Sequence, residues 1–165
     1  MRPQQHRILV LLCLLATLVL PAASDPLITT AEQTGFQSTG RYQEMVRLCE
    51  SFQREWPEAV RVYDFGLSPQ GRPMKALVVS RAGVLDAKQA QARNLPVIVA
   101  QGCIHAGEVD GKDAGFMALR ELLRKNDSSL EKCVFVFVPI FNVDGHERFK
   151  EWNRPNQNGP REMGW

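Results

Sequence analysis

Hydrophobic spacing divides the chain into segments with different periods. From Arg41 to Trp56 the apolar positions Tyr42, Met45, Val46, Cys49, Phe52 and Trp56 recur at the interval of one helix face, and Pro57 closes the segment. An amphipathic helix is predicted there. Two β-rich runs, "VRVYDFGLS" and "PMKALVVS", flank "PQGR", whose Pro and Gly suit a turn, so a hairpin at a sheet edge follows. "PVIVA" and "VFVFVPIF" are unbroken apolar runs, the pattern of strands covered on both faces. Between them, residues 111–125 read as a helix with Phe116, Leu119, Leu122 and Leu123 on one face. Strand, helix, strand in this order predicts a parallel crossover in a layered α/β domain.

The remaining segments are less regular. Residues 25–38 read as an exposed lead-in, and the polar, Ala-rich stretch 81–95 fits a loop or a short helix equally. After Asn142 the chain turns polar in "HERFKEWNRPNQNGPREMGW". Four strands and two helices would leave a sheet edge or face unprotected. The expectation is that residues 25–165 form the N-terminal part of a larger domain.

At the N-terminus, Arg2 and Arg7 precede the apolar run "ILVLLCLLATLVL", which is followed by Pro21, Ala22, Ala23 and Ser24. This is the layout of a signal peptide, residues 1–24, with cleavage after Ser24 or, alternatively, after Ala23. The run is well short of the about 20 residues that span a bilayer, so no stable membrane anchor is expected. The mature chain is expected to be exported, to a periplasm or the exterior. It keeps Cys49, Cys103 and Cys133, an odd number, which read as small buried residues. Spacing neither requires nor forbids a Cys103–Cys133 bridge.

Composition changes this picture little. In 165 residues, 44% hydrophobic and 23% charged, there is material for one globular core. A net charge of +2 on scattered Lys, Arg, Asp and Glu gives no phosphate-tracking surface, so nucleic acid is excluded as a partner class. Oligomeric state leaves no trace in the sequence.

Candidate chemistry lies in "VIVAQGCIHAGEVDG". His105 follows a strand end, where ligands bind in open α/β sheets, and Glu108 stands at the start of the next helix. Gly107 eases the turn that would bring both to one Zn²⁺, with bonds of about 2.0–2.2 Å. On spacing alone, helix capping accounts for Glu108 just as well. The second motif, "NVDGHERF", begins at Asn142, after the next strand and on the same rim. Taken alone it is a strand-ending turn; paired with the first across a crossover, it supports a site.

Together, "QGCIHAGEVDGKDAG" and "PIFNVDGHERF" resemble the zinc metallocarboxypeptidases, the carboxypeptidase A-like peptidases, and "FGLSPQGRPM" is similar to the family's N-terminal hairpin. The resemblance covers roughly residues 39–165. It implies an α/β/α sandwich on a mixed, largely parallel sheet, incomplete in this chain. It also implies one zinc and hydrolysis of a peptide or other amide bond. Carried over residue by residue, His105 and Glu108 match the first two zinc ligands. The family's third ligand, a His, and its general-base Glu are expected beyond Trp165, as is the carbonyl-binding Arg. Arg148, Arg154 and Arg161 stand nearby and read as solvated loop charges. His146 reads as a polar rim residue in a position to touch substrate, not as a ligand. Two alternatives remain: a same-fold zinc deacylase of small acyl-amino acids, and a non-catalytic binding fragment.

Overall fold

A computed structural model describes residues 25–148 of the chain. The expected signal peptide, Arg154 and Arg161 lie outside the described residues. The elements are α1 (Thr30–Gln33), α2 (Tyr42–Glu55), β1 (Val60–Leu67), β2 (Pro73–Val79), α3 (Ala87–Ala92), β3 (Val97–Gln101), α4 (Asp110–Arg124), a 3-10 turn (Ser128–Glu131), β4 (Val134–Val138) and α5 (Val143–Glu147). The sheet runs β1-β2-β4-β3. β1–β2 and β2–β4 are antiparallel, and β3–β4 is the parallel pair joined through α4. This is the α/β class with a mixed sheet.

Apolar faces at helical spacing put α2 and α4 on one side of the sheet. Met45, Leu48, Cys49 and Phe52 of α2 meet Phe116, Leu119 and Leu123 of α4 over Leu77, Val79 and Phe137. Phe116 lies between two aromatic neighbours, 5.6 Å from Phe52 and 5.4 Å from Phe137, the latter edge-on. A Cβ at Gly115 would stand 2.1 Å from the Phe137 ring, so the missing side chain lets α4 press onto β4. On the opposite face a smaller cluster, Val84, Ala90 and Val134, sits under α3. The stretch that fitted loop or helix is thus partly helical, and Asp86 caps α3 by accepting from the Gln89 amide at 2.9 Å.

The hairpin forms as expected. Its turn closes with the Ser68 amide donating to the Arg72 carbonyl at 2.9 Å and Gly71 at φ 79°. All three described cysteines are free and buried, so no Cys103–Cys133 bridge forms. No helix among the described residues is long and apolar enough to cross a membrane.

Two expectations differ from what is found. Residues 25–38 are an exposed lead-in only in part: residues 33–37 are exposed, but Leu27, Thr29 and Ala31 are buried. Thr29 and Glu32 form a capping box at α1. The Arg120 guanidinium of α4 then holds Glu32, at 2.8 Å through Nη1, and the Leu27 carbonyl at 2.9 Å. The other difference is β3, expected to be covered on both faces. Val97, Ile98 and Val99 are 51%, 48% and 64% exposed, because β3 has β4 as its one neighbour in the described sheet. β4, at an inner position, keeps Val134, Phe137 and Val138 buried.

Candidate metal centre

Beyond β3 and β4 the two chains stay hydrogen-bonded into their loops. The Gly102 amide donates to Val138, the Phe141 amide to Gly102 and the Asn142 amide to Cys103, at 2.9, 3.0 and 2.9 Å. The two motifs of the sequence are therefore side by side on one rim. Gly102 is where three backbones converge: a Cβ there would lie 2.6 Å from the Pro139 carbonyl oxygen and 3.1 Å from the Lys112 nitrogen. Cys103 adopts φ 49°, a conformation uncommon outside glycine, and so redirects the chain as it leaves the strand. Gly107, at φ 82°, makes the turn between His105 and Glu108.

The result is a convergence of two donor atoms. His105 Nδ1 stands 2.9 Å from Glu108 Oε2, with the side chains 59% and 41% exposed. Two ligands of a tetrahedral zinc with bonds of about 2.0–2.2 Å stand about 3.3–3.6 Å apart. A small side-chain rotation would open the pair to admit the ion. An imidazole nitrogen and a carboxylate oxygen, both open to solvent, suit zinc chemically. The residues present fit two positions of such a site. No group of three or more His, Cys, Asp or Glu that could hold a metal occurs among the described residues.

His146 is not at the rim. It is 1% exposed, and its Nε2 faces the Gly40 carbonyl oxygen at 3.2 Å. A carbonyl can only accept, so Nε2 carries the proton. Burial, with the Lys112 charge second, pushes its pKa down to about 4, which makes the imidazole neutral at ordinary pH. The rim position fails because the turn motif continues into α5, which directs this side chain inward. Arg148 is exposed, and its amide caps α5 by donating to Gly145.

Two features behind the rim escaped the sequence reading. Lys112 is wholly buried: its Nζ donates to Asp113 at 2.7 Å and to Glu44 and the Gly40 carbonyl at 3.3 Å each. Thr39 completes the cluster through a 2.6 Å bond to Asp113. A signal was available, since Lys112 falls on the apolar register of Phe116, Leu119 and Leu123, where a lysine must have buried partners. The other feature is Asp144 of the Asn-Val-Asp-Gly motif. Its carboxylate accepts from Ser68 Oγ at 2.9 Å, the Gln70 amide at 3.0 Å and Arg72 at 2.5 Å, which fastens the hairpin turn to α5. Burial acts to raise its pKa, but the bonds from Ser68, Arg72 and Gln70 outweigh this and leave it below the usual carboxylate value.

The profile of the zinc carboxypeptidases matches residues 45–163. The chain belongs to the zinc carboxypeptidase family. Among its relatives, the inactive metallocarboxypeptidase ecm14 of Schizosaccharomyces pombe is 31% identical over 118 residues, covering 68% of this chain and 23% of that protein. Carboxypeptidase B of Astacus astacus is 29% identical over 108 residues, 64% of this chain and 33% of that one. The chain thus spans between 23% and 33% of the length of these curated relatives. Carboxypeptidase A from Helicoverpa armigera shares the fold with a TM-score of 0.58 at 23% identity, over 66% of this chain and 26% of the other. Bovine thrombin-activatable fibrinolysis inhibitor, solved in complex with tick carboxypeptidase inhibitor, gives 0.58 at 18%, over 72% and 36%. The three stretches that resemble carboxypeptidases in the sequence meet in this fold: the hairpin turn rests on Asp144, and the loop of His105 runs beside Phe141 and Asn142.

Proposed function

We propose that the protein carrying this segment is an exported, zinc-dependent carboxypeptidase-like hydrolase of peptide bonds. The observation that supports this reading is the 2.9 Å approach of His105 Nδ1 to Glu108 Oε2 on the rim, in a chain of the zinc carboxypeptidase family. His105 binds as a neutral imidazole through Nδ1 and Glu108 as a carboxylate. Zinc, when bound, supplies a Lewis acid able to polarise a carbonyl and acidify water. The described residues contribute these two ligands and the scaffold that fixes them. The general base, the carbonyl-binding Arg and the third ligand belong to other parts of the full protein.

Zinc content tests the assignment directly. In the full-length protein, His105→Ala and Glu108→Ala are each expected to weaken zinc retention by more than about 100-fold, beyond the loss caused by removing an outer-shell contact. Metal analysis after dialysis reads this, and stoichiometric zinc in either variant removes both residues from the site. Export is tested by N-terminal sequencing of the secreted or periplasmic protein, expected to begin at Asp25.

A non-catalytic role is the second reading, favoured by one observation: two relatives, from Schizosaccharomyces pombe and Saccharomyces cerevisiae, are named inactive metallocarboxypeptidases. Zinc-loaded full-length protein that cleaves neither peptides with free C-termini nor N-acyl amino acids would establish it. Cleavage of the acyl-amino acids alone would point to a deacylase.

A further inference from the structure

Glu108 stands directly before Val109, the N-cap residue of α4, and Val109 makes no side-chain cap. The amides of Lys112 and Asp113 close the first turn onto the Val109 carbonyl at 3.1 and 3.2 Å. Where α4 begins is therefore decided by contacts from elsewhere in the fold. One is the close approach of Gly102, where a Cβ would lie 3.1 Å from the Lys112 nitrogen and 3.2 Å from the Gly111 carbonyl carbon. The other is the Lys112 side chain.

The Lys112 ammonium is wholly buried and has three donors for three acceptors: Asp113 at 2.7 Å, and the Gly40 carbonyl and Glu44 at 3.3 Å each. Both carboxylates are themselves held, Asp113 by Thr39 at 2.6 Å and Glu44 by the Thr30 amide. The Gly40 carbonyl also accepts from His146 of α5 at 3.2 Å. One backbone oxygen thus joins the helix that follows His105 and Glu108 to the helix that continues the Asn-Val-Asp-Gly motif. Gly40 has no room for a side chain, since a Cβ there would fall 1.6 Å from Glu44 Oε2. Stability alone does not call for a lysine here, because a buried ion pair is often replaced by apolar residues of similar volume without loss. Directed bonds from the ammonium add what apolar packing lacks, a single position for the first turn of the helix.

We propose that Lys112 is a positioning residue of the metal centre: through Asp113, Glu44 and the Gly40 carbonyl it fixes the start of α4, and with it the Glu108 carboxylate against His105. The inference rests on the metal-centre reading above and extends it from the two ligands to the buried cluster behind them.

The test uses the full-length protein with zinc or cobalt ions and needs no substrate. Competition with a chromophoric chelator measures zinc affinity, and the visible spectrum of the cobalt-substituted protein reads the ligand geometry. Lys112→Met is expected to weaken zinc binding about 10–100-fold, the range for groups that orient metal ligands, and to shift the cobalt bands. Asp113→Asn keeps an acceptor for Thr39 and should show the same two changes in smaller degree, which covers the case in which Lys112→Met does not fold. Leu123→Ala, at the far end of α4, is the control for a merely structural effect: it should lower the urea midpoint and leave zinc affinity within about twofold. Wild-type affinity and an unshifted cobalt spectrum in the Lys112 and Asp113 variants overturn the positioning role. So does an equal loss of zinc in Leu123→Ala, because any loosening of α4 would then suffice. Wild-type protein that holds zinc no more tightly than His105→Ala overturns the metal centre itself, and the positioning role with it.

Discussion

His146 and Lys112 share one acceptor, the Gly40 carbonyl, at 3.2 and 3.3 Å. Burial first, and the Lys112 charge second, disfavour a cationic ring, so the imidazole stays neutral at ordinary pH. Folding thus lowers the histidine pKa from 6.5 to about 4. Between these values the unfolded chain binds more protons than the folded one, and stability therefore rises with pH. The contribution is complete above pH 6.5 and falls as pH drops through the window to about 4. At 1.36 kcal/mol per pKa unit it totals about 3 kcal/mol. Glu147 and Arg41 also face the ring electrostatically, one raising and one lowering its pKa. His146→Gln retains a donor for Gly40 and removes the titration. Urea denaturation at pH 7 and pH 5 should show a smaller acid loss in the variant by about 2 kcal/mol; equal losses would show that the ring does not titrate in this way. The inward position of His146 was illegible in the sequence because its partner is 106 positions away. His105 and Glu108, three positions apart, were legible because one glycine turn suffices to join them.

Elements read well from the chain where local periodicity carries the information. The helix from Tyr42, the hairpin and the crossover through α4 follow from spacing, turn residues and unbroken apolar runs. The burial of Leu27, Thr29 and Ala31 did not, because that stretch is held by Arg120 across the fold. The union of hairpin and α5 is likewise tertiary: Asp144 accepts three bonds from a turn more than seventy positions earlier. Asp144→Ala leaves the Gln70 amide and the Ser68 hydroxyl without that acceptor. The expected loss is about 2–3 kcal/mol, the scale of hydrogen bonds to a charged group. A lower urea midpoint and faster proteolytic nicking between Ser68 and Arg72 would register it. Unchanged protection of that turn would show that the hairpin is held by its apolar strands instead. The depressed pKa of Asp144 adds an acid dependence of the same sign as that of His146 but at lower pH. The stabilisation is present above the unfolded carboxylate value and disappears as pH falls through the folded one.

At the scale of the molecule, the two ends of the described sheet are built differently. β1 is protected as an edge strand: it carries Arg61 and Asp64, pairs Asp64 with Lys75 at 2.7 Å, and has an irregular register between Asp64 and Gly66. Charges and bulges of this kind discourage pairing with another chain. β3 has no such device. Its Val97, Ile98 and Val99 are uncharged, in regular register with β4 and about half exposed or more. An unprotected apolar edge is a surface that awaits a neighbour, and relatives about two to three times longer have the chain to supply one. A polypeptide of these 165 residues is therefore expected to self-associate at micromolar concentration through β3. Val99→Lys should shift it towards monomer in sedimentation velocity, since a lysine on an edge opposes strand addition. In the full-length protein the same substitution is expected to destabilise by about 1–3 kcal/mol, because there it would bury an unpaired charge. A monomeric 165-residue chain together with a neutral Val99→Lys in the longer protein would mean that β3 faces solvent in both, and that the sheet ends there.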